Sequence, residues 1–548
     1  MRRAGVSAEG FWGLVSPASA AALDGEASSS WGLSPQALVE AAGRACGARL
    51  GDIPGLPGGR VLVCAGPGNN GADALVALRF LLMAGRGAEN PRGPRGAAAL
   101  LSKFPPDDGS PRSGAVRALT AMGIPVLTWK GEVEAEGLFH DAEIIVDGVA
   151  GTGLRGPLEG VPLEMVRSIN RRREAAPGEV PRGGCVVVSI DVPSGIGEGI
   201  PPEAPAVNAD YTLAIEPFKV PLYVPALRPR AGRILPVRGI FPRGLLDKYR
   251  DAELLRWADR GPALSPLPPD SHKYSRGVVE IRAGSPGSAG AARIAAAGAS
   301  AAGAGLVRLV VDDELYPVLA AGAGGVMVVP LSGVPAGAPG VLSPGRFKPH
   351  ALLLGPGWGR DEVRRSLCRE ARKAEEGGLP LVLDADGIGL LDRDAVFHGR
   401  AILTPHAGEM EALTGIPRGR LLAEPALIAG AARRFNAAIL FKSHVMVLSS
   451  PEGRLGFIDG MDPALAAGGS GDLLAGFCAA LAARMRAAEE RRGGPVFDPY
   501  AAAAAAGTLL AAASRRAGRV FYDPLRLAET AARLAGKAWL PRPPAGPN

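Results

Sequence analysis

Purely apolar runs alternate along the chain with stretches of helical periodicity, which is the pattern of an α/β fold. From Pro35 to Leu50, residues Leu38, Ala41, Ala42, Ala45 and Leu50 recur at helical spacing. Ser34-Pro35 in front of them suits a cap followed by proline at the first helical position, where a missing amide proton costs nothing. Val61-Leu62-Val63-Cys64-Ala65 then runs apolar without alternation into a glycine-rich loop and on to Ala74-Leu75-Val76-Ala77-Leu78. This predicts strand, loop and helix in turn. Further apolar runs stand at 143–146 and 185–190. Strands without polar alternation are covered on both faces, and intervals of roughly 40 residues leave room for crossover helices. The first half is therefore expected to be a Rossmann-like, doubly wound parallel sheet with ligands at the carboxyl ends of its strands.

Prolines cluster at 262–270, in P-A-L-S-P-L-P-P-D, and residues 246–270 are expected to form a linker. A second α/β series follows, with strands predicted at 278–281, 306–311, 351–354, 381–383 and 401–403, and continuing at 438–441 and 445–448. The expected domains are 10–245 and 271–540; 548 residues exceed what one core usually organises.

An apolar fraction of 47% supports two cores, and the 77 glycines and 50 prolines are spread too widely for a low-complexity tract. The net charge of +7 is small for the length and comes almost wholly from arginine, there being nine lysines, so no nucleic-acid partner is expected. Cys46, Cys64, Cys185, Cys368 and Cys478 are scattered, with no C-x-x-C pair or histidine at metal spacing, which suits buried thiols in a reducing compartment. The N-terminus lacks the apolar core of a secretory signal, and no window of about 20 residues is continuously apolar, as a membrane helix requires. A cytoplasmic chain with no membrane partner, assembling with copies of itself, is the expectation.

Candidate chemistry collects at the strand ends. Gly66-Pro67-Gly68-Asn69-Asn70-Gly71-Ala72-Asp73 follows a strand and opens a helix, where free amides and the positive helix end attract phosphate. Such turns also serve merely to close a βα unit, but the doubled asparagine supplies amide groups for a ligand or cation. Asp147, in Val146-Asp147-Gly148-Val149-Ala150-Gly151-Thr152-Gly153-Leu154, and Asp191, in Asp191-Val192-Pro193-Ser194-Gly195, end the next strands. Each aspartate alone reads as a cap or turn residue. Three such loops at successive parallel strands converge on one crevice, which favours function.

These segments, with L-V-E-A-A-G at 38–43, resemble the NAD(P)H-hydrate epimerase family over roughly residues 10–245. The resemblance implies that Asn69, Asn70, Gly71, Ala72 and Asp73 bind a hydrated dinucleotide, together with Gly151, Thr152, Gly153, Leu154, Arg155, Gly156 and Pro157. It implies a potassium ion held by Asn70, Asp147 and Ser194, and puts Asp191 at the reacting nicotinamide end, with Asp147 also among the catalytic residues. Reversible loss and return of a hydroxyl needs only a carboxylate as general acid and base. Where the family usually has G-G-D-G, this chain has Gly71-Ala72-Asp73-Ala74.

In the second half, Gly468-Gly469-Ser470-Gly471-Asp472 enters Leu473-Leu474-Ala475-Gly476. A glycine run at a helix start makes an anion hole, and the adjacent carboxylate can take a hydroxyl proton, the pairing that phosphoryl transfer requires. With His272-Lys273, Gly355-Pro356-Gly357-Trp358-Gly359, Asp384-Ala385-Asp386, Thr404-Pro405-His406-Ala407-Gly408-Glu409 and Lys442, this resembles the ribokinase-like ADP- or ATP-dependent NAD(P)H-hydrate dehydratases over roughly 265–540. The resemblance implies Asp472 as the base, Gly469, Ser470 and Gly471 as the anion hole, and Ala291, Gly357, Gly359 and His406 along the dinucleotide. It implies Lys442, Ser443, His444, Val445 and Met446, with Gly471, at an adenine nucleotide carrying Mg²⁺. Alone, His406 reads equally as a turn residue, Lys442 as a solvated charge, and Asp384 and Asp386 as caps. Gly389 and Ser443 stand where the family usually has Asn and Gly.

The two resemblances together imply a metabolite-repair enzyme that epimerises and dehydrates NADHX and NADPHX at the expense of ADP or ATP. Two other readings are weighed: a ribokinase-like vitamin-precursor kinase with an accessory first domain, and a first domain that only senses dinucleotide or binds protein. Phosphate release coupled to hydrate consumption separates the first; loss of epimerisation on substitution of Asp147 or Asp191 separates the second.

Overall fold

The computed structural model describes residues 12–54, 56, 58–84, 94–174, 184–260, 266–333, 348–460, 462–491, 494–518 and 523–540. The chain divides into two compact units, Gly13–Ala252 and one that runs on from Glu253.

In the first unit seven parallel strands lie in the order Val126–Thr128, Gly96–Leu101, Arg60–Ala65, Ile144–Gly148, Val186–Ile190, Tyr211–Ile215, Arg233–Val237. The order builds outward from Arg60–Ala65 and then reverses, as a doubly wound sheet does. Successive residues of that strand serve opposite faces: Val61 and Val63 enter one core, Leu62 and Cys64 the other. The first core is capped by the helices Pro35–Leu50, Asn69–Ala84 and Pro111–Ala121, the second by Glu132–Asp141 and Gly160–Glu174. Ser34 caps the first of these helices through its hydroxyl, with Pro35 at the expected position.

Four of these strands go beyond the sequence expectation. Gly96–Leu101 is built of Gly, Ala and Leu, which mimic helix, and Val126–Thr128 is too short to show a period. Residues 246–270, expected as a linker, carry the strand Ala252–Leu254 and the helix Trp257–Arg260, with Leu255 buried in the second unit's core. The apolar residues before the proline run start at 262 belong to packed structure; residues 261–265 lie outside the described ones.

In the second unit nine strands follow the order Val326–Pro330, Leu306–Val311, Val278–Arg282, Ala351–Leu354, Leu381–Leu383, Ala401–Leu403, Ala438–Phe441, Val445–Ser449, Leu455–Asp459. Pairing is parallel as far as Ala438–Phe441 and antiparallel beyond it. The run at 445–448 thus continues the series as a hairpin return: residues 442–444 are too few for a crossover. Against one face pack the helices Ala289–Ala301 and Ser470–Glu489. A Cβ on Gly476 would lie 2.2 Å from the Ala295 carbonyl oxygen, and one on Gly298 2.5 Å from that of Leu473. These reciprocal glycines bring the two backbones together and fix where Asp472 begins its helix.

All five cysteines are buried and unpaired, and among the described residues no helix is long and apolar enough to cross a membrane.

Candidate active sites

The first site lies where the strand order reverses, between Arg60–Ala65 and Ile144–Gly148. Gly66 N–H donates to the Gly148 carbonyl at 3.0 Å, and a Cβ on Gly66 would stand 1.7 Å from the Val149 oxygen. Only glycine lets the two loops touch. Asn69–Ala84 starts just beyond, and the amides of Asn69, Asn70 and Gly71 bond to no backbone group among the described residues, leaving donors for an anion. Ala72 is bonded to Gly68.

Asn70 donates through Nδ2 to the Ala150 carbonyl at 2.9 Å, while its Oδ1 is buried without a partner among the described residues. Ser194 meets the same segment: its hydroxyl accepts from Ala150 N–H at 2.8 Å and donates to Asp147. Asn70, Asp147 and Ser194 therefore converge around Ala150. The orphaned amide oxygen suits a cation of low charge that takes an all-oxygen coordination shell.

Asp147 is fully buried, and its carboxylate accepts from Ser189 Oγ at 2.8 Å, Ser194 N–H at 2.9 Å, Val149 N–H at 3.2 Å and the Ser194 hydroxyl. Burial pushes its pKa up against the pull of those donors. Asp147 was expected among the catalytic residues; with four donors around it and no exposure, the geometry makes it a brace for Ser194 and Ala150 and leaves it no path to exchange a proton with a ligand.

Asp191 is the opposite case. It follows Val186–Ile190 with φ +62°, a left-handed conformation rare outside glycine, which turns its carboxylate to Lys219. Lys219 Nζ donates to Asp191 Oδ1 at 2.7 Å and to the Ile215 carbonyl at 3.0 Å, and Ile215 N–H adds a third, weaker bond. Two more carboxyls lie within electrostatic reach. Asp73, in the first turn and a half of Asn69–Ala84, has a buried Oδ1 with no partner among the described residues; desolvation pushes its pKa well above the carboxylate range, Asp191 adding and Lys219 opposing. Asp24, on the helix Pro17–Trp31, is open to solvent yet crowded by neighbouring atoms, and that desolvation raises it too, against Lys219. The loop 151–157 forms an outer rim: Gly153, Arg155 and Pro157 are exposed, Thr152, Leu154 and Gly156 half-buried, and Gly151 lies against Asn70.

Lys219 and Asp24 are absent from the sequence-based expectation. The one available signal was lysine's rarity in this chain.

The second site is built at the carboxyl ends of the second sheet. Gly469 caps Ser470–Glu489 at φ +92°, and the amides of Gly471 and Asp472 bond to no backbone group among the described residues. Asp472 is half-buried; burial first, then the Asp384 charge, lift its pKa to about 6, with Lys442 opposing. The carboxylate thus stands in the first turn of the helix, next to amides that have no backbone partner among the described residues.

Lys442 is no solvated charge: its side chain is 18% exposed and bonds Asp384, which also accepts from Thr404 Oγ1 at 2.8 Å. Burial works to lower the ammonium's pKa, but Asp384, Glu409 and Asp472 outweigh it and the net shift is upward. A Cβ on Gly471 would stand 3.5 Å from Lys442 Nζ, so the ammonium lies beside the anion hole. His406 caps Ala407–Thr414, its Nδ1 accepting from Gly408 and Glu409 N–H, while Glu409 takes the His406 N–H at 2.8 Å and comes within 3.9 Å of Lys442. Its Nε2 edge remains exposed beside Glu409.

Gly357 and Ala291, both expected along the dinucleotide, pack against each other: a Cβ on Gly357 would lie 3.0 Å from that of Ala291, and Ser285 Oγ donates to the Gly357 carbonyl at 2.9 Å. Gly359 N–H donates to Asp386 at 2.8 Å, and Arg360 fills the space beside Gly389 while pairing with the same carboxylate. A cavity of about 350 Å³ opens between Lys442, Ser443, His444, Met446, Asp462, Leu465, Ser470 and Gly471, with Leu474 and Leu510 giving it an apolar wall. Val445, expected at the nucleotide, points into the packed sheet with no exposure, because alternate residues of the strand Val445–Ser449 face opposite sides. Ser443 turns its hydroxyl back onto the Val445 carbonyl.

Two α/β units, each offering unpartnered amides and a carboxylate at its strand ends, define a two-site protein of the dinucleotide- and nucleotide-handling α/β class. Residues 35–220 match the family model described as YjeF-related protein N-terminus, and 279–533 the model described as NAD(P)H-hydrate dehydratase. Similar proteins include the bifunctional NAD(P)H-hydrate repair enzymes of Thermofilum pendens, 32% identical over 84% of this chain and 85% of that one, and of Gloeobacter violaceus, 34% identical over 85% and 88%. Among solved structures, the Bacillus subtilis ADP/ATP-dependent NAD(P)H-hydrate dehydratase co-crystallised with ATP/Mg²⁺ is 23% identical, with a TM-score of 0.44 over 52% of this chain and 99% of that one. The chain belongs to the bifunctional NAD(P)H-hydrate repair enzyme family.

Proposed function

We propose that the first unit interconverts the R and S hydrates of NADH and NADPH, and that the second dehydrates the S hydrate to NAD(P)H, consuming ADP or ATP through a phosphorylated intermediate. The observation that carries this reading is Asp472, half-buried beside the free amides of Gly471 and Asp472 and the Lys442 ammonium. A vitamin-precursor kinase would use a similar pairing, but the relatives that match across both units are repair enzymes.

In the second site Asp472 takes the proton of the substrate's C6 hydroxyl as that oxygen bonds to the terminal phosphorus, and the bond from phosphorus to the nucleotide's bridging oxygen breaks. The amides and Lys442 receive the charge on the transferring group. Phosphate then leaves C6, driven by the ring nitrogen's lone pair, and loss of a C5 proton restores the dihydronicotinamide. Mg²⁺ would enter with the nucleotide's phosphates. Asp384 and Asp386 are already engaged by Lys442 and Arg360, and the described residues hold no cluster of three His, Cys, Asp or Glu side chains, so no step depends on protein-held Mg²⁺.

In the first site the residues that would hold potassium are Asn70, Asp147 and Ser194, where it would order the loop carrying Ala150. The five buried free thiols suit a reducing, cytoplasmic setting, and assembly into homo-oligomers is measurable by light scattering.

The test is to follow NADH absorbance of a mixed-epimer NADHX sample with the protein, Mg²⁺, K⁺ and either ADP or ATP. Complete recovery with stoichiometric phosphate release is expected. Recovery that stops at the S fraction sinks the epimerase half, and none at all sinks the dehydratase half.

A further inference from the structure

The carboxyls of the first site are held in unlike surroundings, and epimerisation, which expels a hydroxyl and leaves a cationic ring, can use one of them to carry the proton and the other as a fixed anion. Asp191 has an ammonium at 2.7 Å and a backbone N–H on the same oxygen, so its negative charge is balanced in place. Asp73 has neither. Its Oδ1 is buried without any donor among the described residues, although the residue as a whole is half-buried, one turn beyond the amides that open the helix Asn69–Ala84. A carboxylate left without donors is costly, whereas a carboxylic acid in the same place is not, and it offers a hydrogen to whatever enters. The charged and titratable groups around it are Asp191 and Lys219 from the sheet end, Asp24 from Pro17–Trp31, and the Cys46 thiol of Pro35–Leu50. Two of these are further carboxyls, and one ammonium cannot balance all three.

We propose that Asp73 is the proton donor to the departing hydroxyl in the epimerase site, and that Asp191, fixed by Lys219, is the anion that faces the cationic ring. This rests on the epimerase reading above. The C6–O bond breaks with its electron pair on oxygen, the Asp73 proton completes a water molecule, and the ring nitrogen's lone pair forms the N1=C6 bond of an iminium. Asp191 sits opposite that positive charge. Water then adds to the other face of C6, and its surplus proton returns to Asp73, so acid and substrate are both regenerated and only the configuration has changed.

The experiment uses the full-length chain and its own second activity as the internal control. Asp73→Asn, isosteric but without an acidic proton, is expected to slow epimerisation at least a hundredfold while S-NADHX dehydration stays within twofold of the unsubstituted chain. Because Asp73 Oδ1 meets no donor among the described residues, the thermal midpoint of D73N should be unchanged or higher; a merely structural role would lower it. In the unsubstituted chain epimerisation should decline towards high pH as the donor loses its proton, and D73N should lack that limb. Epimerisation by D73N within threefold of normal, or an identical alkaline limb in both, overturns the assignment while the epimerase reading stands. An unsubstituted chain that dehydrates S-NADHX but never consumes the R form overturns both.

Discussion

Asp472 occupies the first turn of a helix, where the helix dipole and free amides favour a negative charge, yet its pKa is lifted to about 6. Removal from water outweighs the dipole, and the buried Asp384 carboxylate adds to it. A base near that value is ionised at neutral pH and still basic enough to take a hydroxyl proton. Dehydration should therefore fall as pH drops through about 6, and Asp472→Asn should reduce it on the order of a thousandfold with epimerisation untouched. The stability effect runs the other way. The carboxyl titrates near 3.8 when unfolded and near 6 when folded, so the penalty is absent below 3.8, grows between the two values and is full above 6. At pH 7 D472N should accordingly be more stable, by on the order of 2 kcal/mol, in urea titrations. Equal stability of the two proteins at pH 7 would mean that Asp472 is hydrated, not desolvated. Asp191 was legible in the sequence because it ends a strand signal at a turn, and Asp472 because it closes a glycine run at a helix start. Lys219 was not: it lies 28 residues beyond the aspartate it serves, and nothing local distinguishes it.

At the scale of elements, legibility followed the strength of the local signal. The helix Pro35–Leu50 declared itself through Ser34, Pro35 and an apolar period, and the central strands through β-branched runs covered on both faces. Edge strands and the alanine-rich Gly96–Leu101 did not, because their identity comes from the neighbours they pair with. The same holds for the contact that sets the second site, where Ser470–Glu489 crosses Ala289–Ala301. Gly476 reads in sequence as a weak point in a helix, but in the fold it admits the Ala295 carbonyl at a distance no Cβ tolerates. Gly476→Ala must push the helices apart at a backbone atom, at about 1–3 kcal/mol. Hydrogen exchange should show lost protection in both helices, and dehydration should drop with them because Asp472 sits one turn from the displaced residue. Unchanged protection would show that the helices have room to slide.

At the scale of the molecule, each unit has its own core and its own set of unpartnered amides and carboxylate, and no described residue of one site is borrowed by the chemistry argued for the other. The sequence made the two-unit plan legible, since two strand-and-helix series with different loop motifs flank the proline run. Two self-sufficient sites need share only a diffusing hydrate. The consequence is testable by complementation: an Asp191→Asn chain, which retains only dehydration, is mixed with an Asp472→Asn chain, which retains only epimerisation. Alone, the first should stop at the S fraction of a mixed-epimer sample and the second should yield no NADH. Together, at equal amounts, they should carry the sample to completion at about half the rate of the unsubstituted protein at the same total concentration, since each activity is present in half the chains. A mixture that halts at the S fraction would require the hydrate to pass between the two sites of one chain without being released.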